Sequence, residues 1–248
     1  MTKNLYFASD FHLGSPTLET SRKREDRVIR WLDAISPTCG ELFLVGDVFD
    51  FWFEYKTVVP KGFIRLQGKL ASMSDAGIKI YFFKGNHDMW VDDYFTTEMG
   101  IQIVSDDLVI ERSGKKFYIH HGDGLGPGDH KYKFLRRIFR NPVCQWLFSL
   151  VPPRIGLGFG IWWSGHSRLA SSTEEVFMGE ENEWLAVYAK EQLKREHFDY
   201  FIFGHRHLPL SVDLGDGSKY INTGEWINHC SYAEFDGKDL SLKYFEEY

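Results

Sequence analysis

Five short polar clusters constrain this chain more than any other feature of its 248 residues. Each stands directly behind an apolar run. Asp10-Phe11-His12 follows residues 5–9, Gly46-Asp47-Val48-Phe49-Asp50 follows 42–45, and Gly85-Asn86-His87-Asp88 follows 78–83. His121-Gly122-Asp123 follows 117–120, and Gly204-His205-Arg206-His207 follows 200–203. Short apolar runs closed by glycine or a polar group read as buried strands. Open α/β sheets gather ligands outside the carboxyl ends of their strands, so the clusters predict one shared crevice. Five of the ten histidines fall in them, and each cluster alone is common while the ordered set is not.

Between these strands the periodicity turns helical at 21–35, where Val28, Leu32 and Ile35 share a face, and again at 63–73. Residues 108–110 and 117–120 predict a hairpin around Ser113-Gly114, and 173–195 a long helix. Further strands are predicted at 210–214, 219–221, 232–235 and 240–245, with hairpin turns at Asp216-Gly217 and Asp236-Gly237. The pattern is an α/β sheet domain closing in an antiparallel meander. It spans 1–248 as one unit, and residues 125–170 interrupt the strand rhythm as an inserted helical cap.

That insertion has its own chemistry. The chain carries a net charge of −6, yet residues 130–170 hold seven basic side chains and no acidic one. Eight aromatic residues lie between Tyr132 and Trp163, and prolines and glycines break the stretch, predicting two short helices with an aromatic groove between them. Cations beside large apolar side chains suit a segment resting on anionic lipid, so peripheral contact with a membrane surface is expected. The net negative charge argues against a nucleic-acid binder. Three scattered cysteines without a CxxC exclude a disulfide framework or zinc knuckle and fit a reducing cytoplasm. The apolar run at 5–8 is cut short by Asp10 and does not read as a signal peptide, and 143–163 is too interrupted to span a bilayer.

Carboxylate, amide oxygen and imidazole without thiolate suit Mn²⁺, Fe or Zn²⁺. Two such cations roughly 3.5–4 Å apart can clamp the attacking and leaving oxygens of a displacement at phosphorus. A bridging carboxylate lets them approach so closely, and glycines let the backbone turn beside them. Asp50 and Asp123 are placed to orient liganding histidines, whereas His120 reads as a buried or sheet-facing residue.

The set DxH, GDxxD, GNHD, HGD and GHxH resembles the calcineurin-like metallophosphoesterase superfamily. The resemblance implies two facing mixed sheets flanked by helices, a four-layer α/β sandwich. It implies Asp10, His12, Asp47 and His207 around a first divalent ion and Asp47, Asn86, His121 and His205 around a second, Mn²⁺ being favoured. Asp47 would bridge, and His87, oriented by Asp88, would act over the phosphate. The cap segment, from His121 through Asp129, Tyr132, Arg136, Pro142, Gln145, Phe148 and Pro152, is similar to the UDP-2,3-diacylglucosamine diphosphatases of lipid A biosynthesis. That subfamily cleaves an acylated nucleotide sugar to UMP and an acylated sugar 1-phosphate, and the likeness implies substrate contacts at Asp129, Tyr132 and Arg136. His87 stands where the subfamily carries Arg, and Arg206-His207-Leu208-Pro209 stands for its Thr-His-Arg-Pro. Two other functions compete. A soluble phosphodiesterase or nuclease would use the same metals and stack bases on the cap aromatics; a non-enzymatic scaffold would have lost ligands that are all present here.

Overall fold

Strands β1 (Asn4–Ala8), β2 (Cys39–Leu44) and β3 (Lys79–Phe83) are apolar at most positions, as strands covered on both faces must be. The computed structural model describes residues 3–126, 130–171, 176–177 and 179–245. Tyr6, Ala8, Leu42, Leu44, Ile80 and Phe82 enter a core beneath helices α1 (Leu18–Ile35), α2 (Ile64–Asp75) and α3 (Tyr94–Met99). Their neighbours Leu5, Phe7, Phe43, Val45, Tyr81 and Phe83 enter a second core between two sheets. There Phe7, Phe43 and Tyr81 stack in sequence at 4.6 Å between ring centres, which uses much of the chain's aromatic content.

The first sheet runs β11-β10-β1-β2-β3-β4, with β4 (Gln102–Val104), β10 (Ser231–Phe235) and β11 (Leu240–Tyr244) completing it. The second runs β5-β6-β7-β9-β8, made of β5 (Leu108–Arg112), β6 (Lys115–Ile119), β7 (Tyr200–Phe203), β8 (Leu210–Gly215) and β9 (Ser218–Asn222). Both are mixed: β1 to β4 are parallel and β10 and β11 antiparallel, while β6, β7 and β9 are parallel between antiparallel edges. Helix α7 (Trp184–Leu193) covers the outer face of the second sheet through Leu185, Ala186 and Ala189. The layers are therefore helix, sheet, sheet, helix, the expected four-layer sandwich.

Three expectations need correction. The final strands do not form one meander, because the hairpin β8–β9 joins the second sheet and β10–β11 the first. The predicted helix over 173–195 begins only at Trp184: a turn at Gly179, whose carbonyl accepts from Asn182 and Glu183, precedes it. Thr173, where it was expected to start, lies outside the described residues. The segment after β6 holds three helices, not two: α4 (His130–Phe139), α5 (Pro142–Ser149) and α6 (Pro153–Ser171). Pro142 and Pro153 each stand at a helix start, where a missing N–H costs nothing, and Asn141 caps α5 by accepting from the amides of Val143 and Cys144.

The glycines of α6 do not break it, and two of them, Gly156 and Gly160, bring it close. A Cβ at Gly156 would lie 2.2 Å from Tyr55 Oη, and one at Gly160 2.1 Å from Phe51 Cζ. Trp90 Nε1 donates to Phe139 O at 2.6 Å, and Phe148 packs on Phe53 and Trp90, so the three helices seat on the loops after β2 and β3. Phe134, Trp146, Leu150, Ile155 and Trp162 remain exposed on them. No helix among the described residues is long and apolar enough to cross a membrane.

Candidate metal centre

The loops after β1, β2, β3, β6 and β7 meet at one end of the sandwich, laced by backbone hydrogen bonds. Asp10 N–H donates to Gly46 O at 3.0 Å, His12 N–H to Asp47 O at 2.9 Å, and Gly204 N–H to His121 O at 2.8 Å. His205 N–H closes the gap between the two sheets by donating to Asp10 Oδ2 at 2.9 Å. Nine described non-glycine residues have left-handed φ, and five of them are Asp10, His12, Asp47, His205 and His207. Such backbone costs on the order of 1–3 kcal/mol per residue and persists where the surroundings enforce it. Here it swings the five side chains off their strands and toward one another.

His207 Nε2 lies 3.2 Å from Asp10 Oδ1 and 3.0 Å from His12 Nε2. Asp47 Oδ2 sits between two imidazoles, 3.9 Å from His12 Nε2 and 3.4 Å from His121 Nε2, while Asp47 Oδ1 accepts from His87 N–H at 2.8 Å. Asn86 Oδ1 is 3.2 Å from His121 Nε2. Three sets of possible ligand atoms each fall within 4.8 Å: Asp10 with His12 and His207, Asp47 with His121 and His205, and His12 with Asp47 and His87. The structure thus brings together all seven residues expected to hold metal. Asp10 Oδ1 is buried without a hydrogen bond, an acceptor that a cation would satisfy. Oxygen and imidazole donors around such an atom fit a divalent metal.

Supporting groups set the histidine tautomers. His121 Nδ1–H donates to Val45 O at 2.8 Å, so Nε2, facing Asp47 and Asn86, is the atom that would give up its proton to ligate a metal. Burial alone would lower the pKa of His12 and His121, but the carboxylates around them (Asp10 and Asp50 at His12, Asp47 at both) raise each to about 10. Burial, reinforced by the charge on His121, takes His205 down to about 4, and burial also lowers His87. Asp10 and Asp47 are held below the usual carboxylate range: burial opposes this, and neighbouring imidazoles outweigh it.

Asp88 does not orient His87. Its carboxylate accepts from four backbone amides, those of Gly85, Asp47, Val48 and Phe49, at 2.8–3.2 Å, and so ties the second loop to the third. Burial and the Asp47 charge push it up to about 7. The His87 ring is held instead by the Asp50 carbonyl, 3.0 Å from Nδ1, and by Ser164 Oγ of α6 at 2.7 Å. Asp50 Oδ1 stands 3.6 Å from His12 Nδ1. Asp123 faces the cap and not the liganding histidines: it accepts from Tyr132 Oη at 2.7 Å and lies 2.7 Å from Arg136 Nε. Tyr132 and Arg136 are therefore near the site but already engaged, and Asp129 lies outside the described residues. His120 is buried, accepts from Gly122 N–H and is lowered to about 4 by burial, as a structural residue. Arg206 turns away from its two histidine neighbours to pair with Glu183 at 3.1 Å and lie over the Trp184 ring.

Two contributors escaped the sequence reading. Ser9 hydrogen-bonds Asp10 Oδ2 and Thr223 Oγ1, and its position beside Asp10 was the available signal. Ser164 had none, being 77 residues from the histidine it meets.

A groove of about 780 Å³, counting its open mouth, leads off from this centre. Asp50, Asn86 and His87 form its polar end, and Phe51, Trp90, Phe139, Phe159 and Trp163 line its apolar walls.

The family model for calcineurin-like phosphoesterases matches residues 3–209. A UDP-2,3-diacylglucosamine hydrolase of Porphyromonas gingivalis is 39% identical over 100% of this chain and 99% of its own length. One of the same name from Edwardsiella ictaluri is 27% identical, covering 95% of this chain and 90% of its own. Among solved structures, a phosphoesterase from E. coli covers 97% of this chain and 92% of its own at 16% identity and a TM-score of 0.46, a loose likeness in shape. With a family model spanning most of the sequence and a relative alike from end to end, the chain belongs to the calcineurin-like phosphoesterases.

Proposed function

We propose that this protein hydrolyses the pyrophosphate of UDP-2,3-diacylglucosamine, releasing UMP and 2,3-diacylglucosamine 1-phosphate in lipid A biosynthesis. The observation that carries this reading is the groove, polar at the metal centre and walled by aromatic rings beyond it. A diphosphate fits the first part and an acyl chain the second; five rings in a row are more apolar wall than the single base of a plain nucleotide can cover. Each CH₂ buried there is worth about 0.8 kcal/mol. The substrate named for the relatives has both halves.

Asp10, His12, Asp47 and His207 would hold one divalent ion and Asp47, Asn86, His121 and His205 a second, with Mn²⁺ the favoured metal. When bound there, the pair would neutralise the diphosphate and lower the pKa of an attacking water. His87 lies at the polar end of the groove with Nδ1–H shared between Asp50 O and Ser164 Oγ, which leaves Nε2 to take or return a proton at the phosphate. Residues 125–170 act as the cap, with Tyr132 lining the groove, and the likeness makes Asp129 a further substrate contact. The exposed rings and cations of α4–α6 support peripheral attachment to the cytoplasmic face of a membrane.

Product analysis tests the reading. Purified protein with Mn²⁺ should release UMP from UDP-2,3-diacylglucosamine, and excess chelator should stop it. Asp47→Asn should lose metal and several orders of magnitude of turnover. Equal turnover of deacylated UDP-glucosamine would overturn the lipid assignment in favour of a nucleotide phosphodiesterase.

A further inference from the structure

Helix α4 separates two grooves of opposite character. Tyr132, Leu135 and Phe139 line the apolar groove described above. Lys133, Arg136, Arg137 and Arg140, spaced i, i+3, i+4 and i+7 and so on one face, line the other together with Gly124. That second groove encloses about 750 Å³ with its open mouth, and no apolar side chain lines it. Its apolar surface is only the methylene stems of those four cations, with no aromatic or branched side chain to grip an acyl chain.

Its charge is not balanced locally. Asp123 pairs with Arg136, and Asp106 is shared between Arg136 and Arg140. Lys133 Nζ donates to the Gly126 carbonyl at 2.6 Å, and Arg137 has no carboxylate partner among the described residues. Among the described residues, four cations thus face two carboxylates. The groove also begins beside the metal centre: Gly124 is three residues past His121, Asp123 between them is held by Tyr132 and Arg136, and the Tyr132 ring is 6.4 Å from that of His205.

We infer that this basic groove receives the nucleotide half of the substrate, the part released as UMP, while the acylated half lies across α4 in the apolar groove. The inference rests on the reading of function given above. Guanidinium groups offer paired donors that match phosphate oxygens, ribose hydroxyls and the uracil carbonyls. Arg137, without a carboxylate partner among the described residues, is a cation that a UMP phosphate would satisfy. Lys133, Arg137 and Arg140 become specificity residues for the nucleotide, distinct from the expected metal ligands.

An anionic lipid headgroup presents the same phosphate chemistry, so the experiment has two arms. Calorimetric binding of UMP to the Mn²⁺-loaded protein is measured for wild type, Lys133→Ala, Arg137→Ala, Arg137→Lys and Arg154→Ala, with melting temperature as the check on folding. Binding of each to phosphatidylglycerol vesicles is measured in parallel. The expected result is UMP binding weakened about tenfold or more by Lys133→Ala and Arg137→Ala, partly kept by Arg137→Lys, and unchanged by Arg154→Ala, an exposed α6 cation outside the groove. Unchanged UMP binding in the first two variants overturns the inference, and a loss confined to vesicles reassigns the groove to lipid headgroups. Failure to turn over the diacylated substrate, with UMP binding still sensitive to Lys133 and Arg137, sinks the proposed function but leaves the nucleotide site standing.

Discussion

Replacing Gly85 by alanine tests the whole metal assignment with one methyl group. A Cβ there would lie 2.1 Å from Asp47 Oδ1, 2.5 Å from Asp47 N and 2.8 Å from Asp47 Cγ. Ordinary contact begins at 3.4 Å, so the carboxylate must retreat by about 1.3 Å, and because the backbone nitrogen is also struck, rotating the side chain does not suffice. Overpacking of this kind costs about 1–3 kcal/mol of stability, or roughly 2–4 °C in melting temperature per kcal/mol for a chain of this size. A positioned group displaced by about 1 Å costs about a hundredfold in rate. Gly68→Ala in α2 is the matched control: nothing lies within 4 Å of its Cβ, and helix propensity favours alanine by about 0.5–1 kcal/mol. Metal content by mass spectrometry and hydrolysis of bis(p-nitrophenyl) phosphate should both fall in Gly85→Ala and hold in Gly68→Ala. Full metal content with turnover within about threefold of wild type in Gly85→Ala would refute Asp47 as the shared ligand.

Two further outcomes follow from the same geometry. Without metal, His12 and His121 are raised to about 10, so at pH 7 both are protonated, and divalent metal binding should expel roughly two protons, read by calorimetry in buffers of different ionisation enthalpy. Because their folded values lie above the unfolded value near 6.5, they stabilise the metal-free fold fully below that pH, and urea resistance should drop as pH rises through about 10; metal binding without proton release would contradict this. Gly160→Ala should drive the Phe51 ring aside, raising KM for the diacylated substrate while kcat on a small diester changes little; an unchanged KM would mean the groove wall does not grip the chain.

The chain's linear order settles a good deal. Alternation in β1 to β3 sends Phe7 one way and Tyr6 the other whatever else happens, because successive side chains of a strand face opposite sides. Placing Asp10, Asp47, Asn86, His121 and His205 directly after apolar strands commits them to one end of the parallel strands, so their convergence was legible from spacing, while their roles as metal ligands came from the resemblance. Local turn chemistry was legible too: Ser113-Gly114 and Asp216-Gly217 both take left-handed φ in their hairpins.

What tertiary structure decided depends on contacts between residues far apart. Which sheet receives β8–β9 and which β10–β11 follows from the two cores that bury them, and a hairpin looks the same in either. Gly156 and Gly160 of α6 resemble helix breaks until Tyr55 and Phe51 are seen pressed against them, where close approach outweighs their propensity cost of about 1 kcal/mol each. Adjacency pointed to Asp88 as the partner of His87, yet its carboxylate turns to the amides of residues 47–49 and Gly85, and Ser164 from the cap takes its place. A side chain's chemistry is written in the sequence, but the direction it points is set by whatever packs against it.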